Sequence, residues 1–180
     1  MQQIHYFEED YGQIEVVLME NIDYIRHKIE KIAKAIKSDE EISCDEPIYS
    51  PPLSELNLER IGISIDRFEK AMNGIRKFDK VFWGESEDYE CPDVFAFGDS
   101  TKTVVFVEIV NQIVSKIWLT LDIYEEDDYI AAEKLLYTLS TFAELLIVDW
   151  GWQFFECLNN REKVLLYLQR RLLTFKKVKG

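Results

Sequence analysis

Apolar positions along the chain follow two different periods. Ile14, Leu18, Ile22, Ile25, Ile29, Ile32 and Ile36 step by four or three, the spacing that lines one face of a 3.6-residue helix. Glu15, Asp23, Arg26, Glu30, Lys34 and Lys37 fall on the opposite face. The pattern predicts one long amphipathic helix over 14–36, packed on a core. A second helix is expected to start at Ser64, whose hydroxyl suits an N-cap, with Ile65, Phe68, Met72, Ile75 and Phe78 turned inward.

Beyond residue 90 the period shortens. Val94–Phe97 reads as a short strand, Gly98-Asp99-Ser100 as a turn, and Thr103–Val110 as a central strand apolar on both faces. From Ser115 to Tyr124 the residues alternate, with Ile117, Leu119, Leu121 and Ile123 pointing one way. Short connections between these three strands favour an antiparallel meander. Glu125-Glu126-Asp127-Asp128 puts negative charge where a helix dipole favours it, ahead of a helix over Tyr129–Glu144 with Ile130, Leu135, Leu139 and Phe142 inward. Residues Leu145–Glu156 read as one further strand, with Val148, Trp150, Trp152 and Phe154 on a shared face. Asp149 is then either a buried carboxylate or an edge residue. Asn159 and Glu162 resemble a capping box before a last helix carrying Leu165, Leu168, Leu172 and Phe175. The expected fold is α+β: N-terminal helices, then a mostly antiparallel sheet of about four strands, with the later helices packed on one face.

The 180 residues suit a single domain over 1–180, and an apolar fraction of 47% excludes intrinsic disorder. Acidic, proline-bearing residues from Lys37 to Leu53 form a loop within that domain. The first ten residues lack an export signal, and no apolar run is long enough to span a bilayer. Cys44, Cys91 and Cys157 are odd in number and make no CxxC pair, which suits a reducing cytoplasm.

Charge changes the picture most. The net charge is −13, and residues 161–180 carry +6, which leaves −19 on residues 1–160. Such a surface repels nucleic acids and anionic membranes and draws in basic proteins. Acidic residues concentrate beside aromatic ones in two expected loops. One holds Trp83, Glu85, Glu87, Asp88, Tyr89, Glu90 and Asp93; the other runs from Tyr124 through Glu125, Glu126, Asp127 and Asp128 to Tyr129. Asp39–Glu46 is a third acidic run. Rings supply contact area at low entropic cost, and carboxylates pair with a partner's Arg and Lys.

Catalytic motifs are scarce. His5 and His27 are the two histidines, and no HExxH, GxSxG, GxGxxG or GxxxxGK[ST] occurs. No cofactor, metal or catalytic residue is implied, and the chain is not expected to be an enzyme. One arrangement resembles the PD-(D/E)xK nucleases: Pro92-Asp93 opens a strand and Glu108 lies in the next. That likeness implies a two-carboxylate metal site, but Val110 stands where the family has lysine. A third possibility is an adaptor subunit that self-associates through the 14–36 helix.

Small size, strong acidity, an α+β pattern and few catalytic residues together resemble the immunity proteins of bacterial toxin systems, including contact-dependent inhibition. The resemblance implies a cytoplasmic antidote, monomer or homodimer, that covers the active site of a basic protein toxin such as a nuclease. Glu85, Glu87, Asp88, Tyr89, Glu125, Asp127 and Asp128 are then the expected partner contacts.

Overall fold

A computed structural model describes residues 2–38 and 57–178. Along the chain come β1 (Gln3–Tyr6), β2 (Ile14–Leu18), α1 (Ile22–Ser38), α2 (Ile65–Ala71), β3 (Lys80–Trp83), β4 (Val94–Phe97), β5 (Thr103–Val110) and β6 (Ile113–Leu121). Then follow α3 (Glu126–Ser140), β7 (Leu145–Asp149), β8 (Phe154–Cys157) and α4 (Arg161–Val178). Six strands form one sheet in the order β4-β5-β6-β2-β7-β8, antiparallel throughout. β1 and β3 pair separately, and in parallel. No helix among the described residues is long and apolar enough to cross a membrane.

The sheet is covered on both faces. On one, Phe68 of α2, Leu135 and Leu139 of α3 and Leu168 of α4 meet Val105, Val107, Ile117, Leu119 and Ile147. The other face is shared. Ile25 and Ile29 of α1 lie on Leu146 and Val148, while the β1–β3 ribbon sets Ile4, Tyr6 and Val81 on Val104, Phe106 and Trp118. Burial from both sides explains why β5 is apolar at nearly every position instead of alternating.

The α+β class and the β4-β5-β6 meander follow the sequence pattern, with β4 and β5 at the expected bounds. The sheet system is larger than about four strands, and the first element is not a helix. Residues 14–18 of the expected 14–36 helix are instead β2, between β6 and β7. Ile14 and Leu18 satisfy a period of two as well as a helical step of four, and Val16 between them is equally buried. Glu15, expected on a solvated face, is therefore buried. The helix that remains, α1, has Ile25 and Ile29 buried against the sheet, so the face an adaptor would use is already covered.

Ser64 does cap α2: its Oγ accepts from the Arg67 amide at 3.3 Å. The helix stops at Ala71, and Ile75 and Phe78 reach the core from beyond it. α3 begins and ends earlier than expected, and Ile130 points outward at 55% exposure. The expected 145–156 strand is two strands joined by a tight turn in which Gln153 takes a left-handed φ of 51°. The turn divides the supposed shared face. Trp150 is buried with α1, Trp152 is exposed, and Phe154 stacks on Tyr167 of α4. The acidic run Asp39–Glu46 and the side chain of Phe175 lie outside the described residues.

Candidate interaction surface and its aromatic cavity

Because β1 and β3 are parallel, the segments that follow them leave at the same end. Tyr6 is opposite Trp83, the Gly84 amide donates to the Tyr6 carbonyl at 2.9 Å, and His5 Nδ1 lies 2.8 Å from the Gly84 carbonyl. Gly84, at φ 68°, turns the chain outward in a conformation open to glycine. The loop then closes on itself, with the Trp83 amide donating to the Tyr89 carbonyl (3.0 Å) and the Cys91 amide to Val81 (2.9 Å). Glu85, Glu87, Asp88 and Tyr89 are all exposed, Tyr89 by 64%. Beside them stand Phe7 and Trp83, each 37% exposed, and the exposed Glu8 and Glu9. The structure thus joins one expected acidic, aromatic loop to a second turn, 7–10, that sequence reasoning passed over. The signal was present: Phe7-Glu8-Glu9-Asp10 has the same mixture of ring and acid. In that turn Asp10 accepts from the Phe7 amide at 3.1 Å, and partial burial raises its pKa.

The other expected loop lies elsewhere. Lys102 at the start of β5 reaches Asp128 at 3.5 Å, whereas Asp93 adjoins Glu108 near the end of the same strand. At about 3.3 Å per strand residue these ends are roughly 20 Å apart. Glu125, Glu126 and Asp127 are exposed there. Asp128 is buried and completes a capping box, accepting from the Tyr124 and Glu125 amides at 3.1 Å each. Its carboxylate is thus occupied in starting α3. The seven expected contact residues fall into two separate groups, one beyond the β1–β3 ribbon and one at the start of α3.

Behind Trp83 is a cavity of about 310 Å³, lined by Tyr6, Tyr11, Trp83, Trp118, Asp93 and Glu108 among others. Its rings meet edge to face: Tyr6 on Trp83 at 5.1 Å and 89°, Tyr11 on Trp118 at 5.0 Å and 71°. Burial, then the nearby Cys91 thiol at 3.5 Å, pushes the Tyr6 hydroxyl well above its ordinary range, so it stays protonated. The register brings the two carboxylates together. Val94 is opposite Glu108, and the Ile109 amide donates to the Asp93 carbonyl at 2.9 Å. Among the described residues no three His, Cys, Asp or Glu side chains cluster so as to hold a metal ion. Lys116, across from Glu108, turns instead to Glu15 at 3.2 Å and lies 3.7 Å from the Tyr11 ring centroid.

Two buried acids support this framework. Glu15 takes Lys116 on one oxygen and the Trp150 indole N–H on the other at 3.0 Å. Burial raises its pKa above the ordinary 4.5, and Lys116 and Trp150 offset only part of that. The folded state then holds this proton more tightly than the unfolded chain. Stability from this group is greatest below about 4.5 and declines as pH rises through the folded pKa. Between pH 4.5 and 7.5, wild type should lose stability relative to Glu15→Gln in urea unfolding; parallel pH profiles would contradict this. Asp149, ambiguous in sequence, is buried, and its partners are Arg171 (2.6 Å), Tyr167 (2.7 Å) and the Trp152 amide (3.0 Å).

No known family model matches this sequence, and no curated protein or solved structure is significantly similar to it.

Proposed function

We propose that this chain is a cytoplasmic antidote of the immunity-protein type, which binds a basic protein toxin and covers its active site. The observation that carries this reading is the convergence of Phe7–Glu9 with Trp83 and Glu85–Tyr89 at one end of the β1–β3 ribbon. Exposed rings at the centre of acidic side chains are the composition of a docking surface: the rings exclude water, and the acids steer and pair. A net charge of −13 speeds encounter with a cationic partner. A nuclease suits this surface, because a site that holds phosphates is itself rich in cations.

The test is protection of growth when the chain is co-expressed with the toxin encoded beside it. Reversing Glu85, Glu87 and Asp88 to lysine should abolish protection and slow association by about 10–100-fold at low salt. The same reversal at Glu125 and Asp127, at the start of α3, should leave protection intact. The side chains of the triple variant are exposed and start no helix, so its thermal unfolding should change little, whereas reversal at Glu125, the N-cap of α3, costs about 1 kcal/mol. Protection that survives the triple reversal would refute the reading.

A further inference from the structure

We propose that the cavity behind Trp83 receives an arginine side chain of a partner protein, its guanidinium lying on the Trp83 ring and pairing with Asp93 and Glu108. The proposal rests on the antidote reading only in naming a protein as the source of that arginine. The cavity itself is formed by this chain alone.

Tyr6, Tyr11, Trp83 and Trp118 line it with two carboxylates beside them; Tyr6 and Trp118 are buried, and Trp83, 37% exposed, is the ring open to a ligand. Neither carboxylate is neutralised from within. Asp93 has no side-chain hydrogen bond or ion pair among the described residues, and Glu108 meets only the Tyr11 hydroxyl, at 3.5 Å. Among the described residues no lysine or arginine lines the cavity; Lys116, over the outer ring Tyr11, is paired with Glu15.

The protein shows elsewhere what such a set holds. On α4, the Arg171 guanidinium bonds Asp149 at 2.6 Å and lies over the rings of Trp152 (5.0 Å) and Tyr167 (5.5 Å). That internal site has one carboxylate, two rings and a guanidinium. The cavity has two carboxylates and the exposed ring of Trp83; the nearby Lys116 lies over Tyr11 and is held by Glu15, so the element left to match is a cation on Trp83. A planar guanidinium stacks on an indole and offers paired N–H donors to carboxylates; an ammonium does neither as well. The position also fits, since Trp83 belongs both to the cavity and to the exposed surface, so an arginine entering here would anchor the centre of the docked face.

The experiment follows the indole N–H resonances of Trp83 and Trp118 during titration with Nα-acetyl-argininamide. Nα-acetyl-citrullinamide, of the same shape without charge, and Nα-acetyl-lysinamide are run in parallel. The arginine probe should give saturable shifts, with the citrulline probe at least about tenfold weaker and lysine between them. Asp93→Asn with Glu108→Gln should weaken the arginine probe about tenfold or more, and Glu126→Gln should not change it. Equal response to arginine and citrulline, or full affinity in the double variant, overturns the assignment. Lysine binding as tightly as arginine overturns the guanidinium part of it. The two proposals fail separately: a probe that finds no site in a chain that still neutralises toxin removes only this one, and a probe that binds in a chain that protects from nothing removes only the antidote.

Discussion

Arg171→Leu should cost about 3–5 kcal/mol of folding stability, because it strands the Asp149 carboxylate inside the protein. Asp149 is 1% exposed, and Arg171 supplies its only cation within 4.0 Å among the described residues. The same guanidinium donates through Nε to the Leu121 carbonyl at 3.2 Å. One side chain of α4 therefore ties the ends of β6 and β7 to the helix that covers them. Tyr167, one helical turn earlier, adds its hydroxyl at 2.7 Å from the same carboxylate, and burial drives its own pKa up. A compensating pair is expected. Asp149→Asn added to Arg171→Leu should recover more than half of the loss, because the amide keeps the Trp152 and Tyr167 contacts without a charge. Urea unfolding of the two variants checks this. A single variant within about 1 kcal/mol of wild type would mean that the carboxylate finds water, and the account would be wrong.

Phe68→Ala is the second large effect, again about 3–5 kcal/mol. Phe68 is fully buried, lies flat on Phe142 at 5.0 Å and 2°, and tilts against Phe97 at 5.7 Å. It belongs to a helix of seven residues, too short to persist without tertiary support. Truncation leaves a cavity between the rings of Phe97 on β4 and Phe142 after α3, which cannot both collapse inward. The amides of 65–71 should then exchange with solvent faster than those of α3 and α4, which keep their own packing. A loss below about 1.5 kcal/mol in denaturant unfolding would show that the site collapses freely.

Sequence pattern was informative where one period had one meaning. β4 and β5 were readable because Val, Phe and Ile between turn signals have no competing helical interpretation, and Ser64 because its capping hydroxyl acts locally. Ile14 and Leu18 were misread because four residues is both a helix step and an even strand step, and only the gap between β6 and β7 decides between them. The 145–156 run failed for a related reason: its apolar residues are continuous through a turn, and Gly151 was the sole sign of one. The candidate surface was half legible. Glu85, Glu87, Asp88 and Tyr89 are exposed as their composition suggested, but nothing local could place Phe7, Tyr6 or Tyr11 beside them. That needs a parallel pairing between distant segments. Asp93 and Glu108 were singled out for a different chemistry, through the nuclease-like layout; the β4–β5 register sets Val94 opposite Glu108.

The pairing of residues 3–6 with 80–83 has a consequence for timing. A parallel contact between such distant segments closes late, since loop-closure entropy must be overcome first. Emerging from the ribosome, the chain synthesises Phe7, Glu8 and Glu9 long before the partner strand that will hold them exists. A nascent chain ending before residue 80 therefore carries Phe7, Glu8 and Glu9 but lacks the strand that fixes their place.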